Sequence, residues 1–297
     1  MKVIFAGTPQ VAIPTAESLL AHGHEVVGVL TRPDAPVGRK RIMTPSPVAA
    51  WAQSHGLSVI KTTTVDSDID ATIAALGAEV GVVVAYGALL PPSTLKLFEH
   101  GWFNLHFSAL PLFRGAAPVQ RALMAGESTV GTCVFRLVQK MDAGAVASRR
   151  SFNLTSNETA HSLLERLSIE CADQVSQVLA DITTGNLKLE EQVGTPTFAP
   201  KIEIDEARFV ASDSATANFN RFRGVTTEPG FWFLDGFQRV KVHSAAISPT
   251  PVTPGVLELH ADAVHLGCSA GSLILHDVQP AGKSSMRAID WMRGRHS

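Results

Sequence analysis

Along the first half of the chain, apolar runs of strand length alternate with stretches whose apolar residues recur every three or four positions. Residues 2–6 form a β-branched and aromatic run ended by Gly7, residues 10–21 carry helical spacing, and residues 26–30 are apolar again. Residues 79–85 are almost continuously apolar, as in a strand covered on both faces, and Tyr86 and Gly87 end the run. A short helical stretch at 95–98 precedes another strand at 102–107. Strand and helix in alternation predict an α/β domain on an open, mostly parallel, Rossmann-like sheet. Residues 130–138 and 146–154 add strands. Leu164, Leu167, Cys171, Val175, Val178 and Ile182 then share one helical face, which predicts a single long helix over 157–183.

The pattern changes after that helix. Residues 184–205 mix Gly185, Asn186, Gly194, Pro196 and Pro200 without any helical period, which suits a linker crossing the surface. From Phe231 onward short strands follow one another: 231–234 and 239–242 around the turn residues Asp235 and Gly236, then 256–259, 264–268 and 273–275. They predict a small β-barrel of the OB-like type. The expected division is a catalytic α/β domain at 1–184, a linker at 185–204 and a barrel at 205–297.

Composition supports two cores: the chain has 297 residues, 45% of them hydrophobic and 18% charged. The first apolar run is too short for a signal peptide, and no later run approaches the roughly 18 apolar residues of a membrane span, so a cytoplasmic protein is expected. The three cysteines, Cys133, Cys171 and Cys268, are far apart among apolar or helical neighbours. That spacing argues against a disulfide framework or a zinc site. A net charge of −2 excludes a global positive field, so any nucleic-acid affinity must come from local clusters.

The chemistry begins at Asn104 and His106, two positions apart at the end of a predicted strand and therefore on one side of it. Ligand crevices of open α/β sheets lie outside the carboxyl ends of strands. Taken alone, a histidine there can equally be structural, and Asp142, two positions before Gly144, can be a turn residue. The Gly7, Thr8, Pro9 turn lacks the GxGxxG spacing of a phosphate site. Arg39, Lys40 and Arg41 form a short cationic run that fits a solvated loop or a phosphate contact.

Residues 104–118, NLHFSALPLFRGAAP, resemble the signature of the folate-dependent formyltransferases, and residues 131–146, GTCVFRLVQKMDAGAV, resemble its second element with Asp142 and Gly144 in place. The segments MKVIFAGTP at the start, RPDAPVGRKRIMTPSPV at 32–48, VVVAYGALLP at 82–91, FAPKI at 198–202 and VQPAGKSSMRAIDWMRG at 278–294 are similar to the members that formylate a charged tRNA. The resemblance implies 10-formyltetrahydrofolate as co-substrate, no metal, and initiator methionyl-tRNA as acceptor. It implies Asn104, His106 and Asp142 as catalytic residues. In that scheme Asn104 and a protonated His106 donate to the formyl oxygen, and Asp142 keeps His106 charged and relays the amine proton. Ser108, Ala109, Leu110 and Pro111, with Tyr86, Gly87 and Leu89, would touch the folate. Arg39, Lys40, Arg41, Lys201, Lys283 and Arg287 would touch the tRNA. Neither a membrane nor an obligate protein partner is implied.

The sequence departs from the family pattern at Ala109, where Leu is usual, at Cys133, where Thr or Ser is usual, and at 224–231, where GVTTEPGF replaces a more aromatic segment. Three rival readings remain open on the sequence: a formyltransferase acting on a nucleotide-linked amino sugar, a hydrolase of formyltetrahydrofolate, and a non-catalytic folate- or RNA-binding protein.

Overall fold

The computed structural model describes residues 1–38 and 40–296; Arg39 and Ser297 lie outside the described residues. The chain divides into two compact units, each assembled from separate stretches. The first comprises Met1–Ala116, Val130–Phe152 and Leu164–Ala199; the second comprises Ala117–Thr129, Asn153–Leu163 and the chain from Pro200 onward. This differs from a cut at 184 with a free linker behind it, because the stretch up to Ala199 packs with the first unit.

In chain order the elements begin with β1 (Lys2–Gly7), α1 (Ile13–Ala21), β2 (Glu25–Thr31), β3 (Ala35–Val37), β4 (Ile42–Thr44), α2 (Pro47–Ser54), β5 (Val59–Lys61) and α3 (Ser67–Ala75). They continue with β6 (Val80–Val84), α4 (Pro92–Leu95), β7 (Trp102–His106), α5 (Pro118–Ala125), β8 (Thr129–Arg136), β9 (Val146–Asn153), α6 (Ala160–Glu170) and α7 (Ala172–Thr183). The sheet runs β5-β2-β1-β6-β7-β8-β9. It is parallel from β5 through β7, and β7 pairs with β8 antiparallel. β6 is buried along its whole length and β1 after its first residue, which is why both read as continuous apolar runs. The chain lays β2 and β5 on one side of β1 and β6 onward on the other. The order therefore switches at β1 and β6, and the crevice beyond their carboxyl ends is where ligands of such sheets bind.

The helix expected over 157–183 is two helices, α6 and α7. Cys171 breaks them with non-helical φ −108° and ψ 4° and caps the second. Its buried thiol sits 3.4 Å from the Thr132 hydroxyl, so the side chain keeps the helical face while the backbone turns. Apolar periodicity reports the face and misses such a break.

The second unit adds α8 (Ala215–Val225), β10 (Trp232–Asp235), β11 (Gln238–Ser248), β12 (Leu257–His260), β13 (Ala263–Gly267), β14 (Ser272–Pro280), β15 (Met286–Arg287) and α9 (Ala288–Arg293). Its antiparallel sheet runs β10-β11-β14-β13-β12, with β15 on β14. Register shifts between Val242 and Ala245 interrupt the long β11–β14 ladder, the irregularity that bends a sheet into a curl. Phe219, Phe222, Phe231, Phe233 and Trp291 fill its core. Among the described residues no helix is long and apolar enough to cross a membrane.

Candidate active site

β7 lies beside β6 in the sheet and carries both polar residues singled out in the sequence. Asn104 lines a cavity of about 640 Å³ together with Asp142. Val83, Leu90, Leu95 and Leu137 supply much of its apolar wall. No hydrogen-bond partner holds the Asn104 amide among the described residues, so its N–H groups are available to a ligand oxygen. His106, two positions on, is only 6% exposed and meets the edge of Phe135. Its Nδ1 lies 4.0 Å from Asp142 Oδ2, too long for a direct hydrogen bond. Its Nε2 lies 3.1 Å from the Phe113 carbonyl. A carbonyl only accepts, so Nε2 carries the proton, and the neutral ring turns an unprotonated Nδ1 toward Asp142.

The surroundings of His106 act on its charge in opposite directions. Burial pushes its pKa below the usual histidine value; the Asp142 carboxylate and the Phe113 carbonyl pull the other way without overcoming it. Burial thus favours the neutral imidazole. Asp142 is held in turn: Oδ2 accepts from the Gly115 backbone N–H at 2.7 Å, and the residue sits in the left-handed region at φ 47°. Gly144 lets this turn close on β8, since a Cβ there would stand 1.8 Å from the Arg136 carbonyl oxygen.

Other expected folate contacts are dispersed. Leu89 lines the cavity, with Ala88 and Leu90 beside it. Tyr86 is instead buried among Ile4, Ala6, Leu30 and Ile60; burial raises its pKa, and its hydroxyl has no partner among the described residues. Gly87 makes the left-handed turn after β6 at φ 84°. Ser108 is buried and its hydroxyl donates to the Leu112 carbonyl at 2.6 Å, closing the loop on itself. Ala109 is exposed, and the Leu110 side chain packs with Cys133, Phe135 and Val146. Pro111 follows a cis peptide. Ser108, Ala109, Leu110 and Pro111 thus shape the loop, and none of them lines this cavity.

All three cysteines are free and buried, and burial raises the thiol pKa of each, to about 12 for Cys133 and about 11 for Cys268. Inert core residues fit that environment. No cluster of metal-binding side chains forms among the described residues.

Sequence patterns and solved structures place this arrangement. The family described as formyl transferase matches residues 1–179, and its C-terminal domain matches residues 201–296. A methionyl-tRNA formyltransferase of Paenarthrobacter aurescens is 46% identical over 99% of this chain and 97% of its own length. The chain belongs to the methionyl-tRNA formyltransferases.

Among solved structures, the methionyl-tRNA formyltransferase from Clostridium thermocellum shares the fold at a TM-score of 0.60 and 14% identity, over 83% of this chain and 93% of that one. HypX from Aquifex aeolicus, solved in complex with tetrahydrofolic acid, matches at 0.68 and 17% over 98% of this chain. This chain spans 47% of that longer protein. At these identities the likeness is one of fold.

Of the cations that a formyltransferase of this family could offer to tRNA, Arg39 lies outside the described residues. Lys40 and Arg41 stand exposed at the turn of the β3–β4 hairpin. Lys201 and Lys283 are exposed, and like Lys40 and Arg41 they have no acidic partner among the described residues. Arg287 is paired with Asp290 through two hydrogen bonds of 2.8 and 3.0 Å, so much of its charge is already answered. The sequence reading missed Arg114, Gln192 and Thr197, which bind the loops of His106 and Asp142. Gln192 and Thr197 fall in a stretch with no periodicity, and only the nearby FAPKI similarity marked it at all.

Proposed function

We propose that the chain transfers the formyl group of 10-formyltetrahydrofolate to the free amino group of initiator methionyl-tRNA, giving N-formylmethionyl-tRNA and tetrahydrofolate. The observation that carries the chemistry is the shared cavity wall of Asn104 and Asp142, with His106 Nδ1 4.0 Å from the carboxylate. The cavity is mostly apolar with a few polar groups, a wall suited to a flat heterocycle that presents one reacting carbonyl.

In this reading the amine nitrogen attacks the formyl carbon while the bond from that carbon to the folate nitrogen breaks. Negative charge grows on the formyl oxygen, and the unpartnered Asn104 amide donates to it; one such donor contributes about 10²-fold to 10³-fold. The amine must shed a proton. In this reading the buried imidazole, whose Nδ1 faces Asp142 at 4.0 Å, accepts it, and Asp142 stabilises the imidazolium as it forms. The proton then passes to the leaving folate nitrogen, which restores the neutral ring. This assigns His106 the base role and leaves the oxyanion to Asn104, the reverse of what a charged His106 would do.

The test is formyl incorporation from 10-formyltetrahydrofolate into charged initiator methionyl-tRNA, run beside an amino-sugar nucleotide and a control without acceptor. Transfer to the tRNA well above both controls is expected. Preferential transfer to the amino sugar, or formate release at the same rate without acceptor, would overturn the acceptor assignment.

A further inference from the structure

Residues 190–199 fall in the interval between the two matched family regions, which end at 179 and resume at 201, and their glycine and prolines read as a linker. Their hydrogen bonds say otherwise. Glu190 pairs with Val146 through two backbone bonds of 2.8 and 2.9 Å, just past the Asp142 turn. Thr197 and Ala199 pair with Arg114 on the loop that follows His106: Arg114 N donates to the Thr197 carbonyl at 2.9 Å, and Ala199 N to the Arg114 carbonyl at 2.7 Å. The segment is thus stitched to both catalytic loops, and a Cβ at Gly115 would meet the Ala199 carbonyl oxygen at 2.7 Å.

Two side chains of this segment reach the residues on which the geometry depends. Gln192 Nε2 donates to the carbonyls of Asp142 and Gly144, each at 2.8 Å. Its Oε1 accepts from Arg114 Nε at 3.2 Å and Nη2 at 2.6 Å, and Arg114 is buried. A guanidinium only donates, so the amide has one orientation and ties the two loops together through four bonds. Thr197 Oγ1 accepts from the Phe113 N–H at 2.8 Å, and the Phe113 carbonyl accepts from His106 Nε2. Asp142 and Phe113 both sit in the left-handed region, at φ 47° and 56°, where a side chain is strained unless its surroundings hold it. The bonds from Gln192 and Thr197 fall on those two residues.

We propose that residues 190–199 are a strap that sets the catalytic pair, with Gln192 the positioning residue for Asp142 and Thr197 the positioning residue for the carbonyl that orients His106. The proposal rests on the roles given above to Asp142 and His106. A segment that merely filled space would lower stability and leave any effect on turnover independent of Asp142. As part of a strap Gln192 acts through Asp142, so its loss matters only while that carboxylate is present.

The test is a double-mutant cycle on formyl transfer. Gln192→Glu keeps an oxygen toward Arg114 and turns the donor to Asp142 and Gly144 into an acceptor facing two carbonyls. It is expected to lower kcat by about 10-fold to 100-fold, as small misplacements of catalytic groups do, with KM for either substrate moving by less than about 3-fold. In an Asp142→Ala background the same change should alter kcat by less than about 2-fold. Thr197→Val, nearly isosteric, should lower kcat with melting temperature retained, and it serves as the second variant if Gln192→Glu folds poorly. A wild-type kcat in Gln192→Glu beside an inactive Asp142→Ala would overturn the strap and leave the proposed function standing; so would a full multiplicative loss in the double variant. Full turnover in Asp142→Ala alone would instead overturn the reading of the site, and the strap with it.

Discussion

The loops that carry His106 and Asp142 and the β3–β4 hairpin that carries Lys40 and Arg41 are built in opposite ways. Around His106 and Asp142, left-handed residues are pinned by hydrogen bonds from buried or half-buried groups: Asp142 Oδ2 to Gly115, His106 Nε2 to Phe113, Gln192 to two carbonyls. On the hairpin, Lys40 and Arg41 are exposed, and Val37, Ile42 and Met43 are each more than half exposed. The first region is preorganised, and the second offers charge and apolar surface without fixing either. Rate should therefore be concentrated in a few groups near β7, where a shift of about 1 Å is costly. Acceptor binding should be spread over contacts that are individually weak and screened by salt.

The contrast can be broken from the catalytic side first. His106→Ala removes the proposed base from a site whose other parts stay in place, and kcat should fall by about 10²-fold to 10⁴-fold in steady-state formyl transfer with the folded signal intact. A loss smaller than tenfold would put the base elsewhere.

The pH dependence tests the charge state of the same ring. Because burial holds the His106 pKa below its usual value of about 6.5, the neutral form, active in the proposed mechanism, predominates above that value, and kcat should decline as pH falls through the lowered pKa. A catalytic imidazolium would give the opposite limb, with activity lost as pH rises. Asp142→Asn, by removing the carboxylate that pulls the pKa upward, should move the acid limb lower still.

Smaller effects are expected on the hairpin. Lys40→Ala combined with Arg41→Ala should raise KM for the tRNA a few-fold, leave kcat at saturation nearly unchanged, and reduce the slope of log affinity against log salt by about 2. A collapse of kcat there would mean that the hairpin takes part in the chemistry. Smallest of all should be Arg287→Ala, changing tRNA affinity by less than about 2-fold, because Asp290 already answers that charge in a solvent-exposed pair.

Those differences also explain what could be read from the sequence. β1, β2, β6 and β7 were legible because a strand buried on both faces needs an apolar run, and the second sheet was legible from its turns. Helices α2, α3 and α8 were not recognised, although Ser46, Asp66 and Ser214 cap them with side-chain hydrogen bonds; a helix of two or three turns gives too little periodicity to outweigh its neighbours. Asn104, His106 and Asp142 were singled out by their motif, and the structure brings Asn104 and Asp142 to one cavity with His106 beside the carboxylate.

The base role proposed for His106 was hidden because sequence proximity shows the carboxylate and not the burial that pushes the imidazole pKa down. The strap was hidden for a related reason. Gln192 works through backbone carbonyls, which every residue has, so nothing in the sequence of the loops names its partner. Residues 117–129 and 153–163 likewise join the second unit through contacts that chain order does not record.

The central claim is that a preset cavity wall, with Asn104 as the free donor to the formyl oxygen, carries the transfer. Single-turnover formyl transfer to charged initiator tRNA by Asn104→Ala tests it most directly, with folate affinity measured on the same protein. The account predicts a rate lower by about 10²-fold to 10³-fold at nearly unchanged folate affinity. A rate within about twofold of the unsubstituted protein would contradict it.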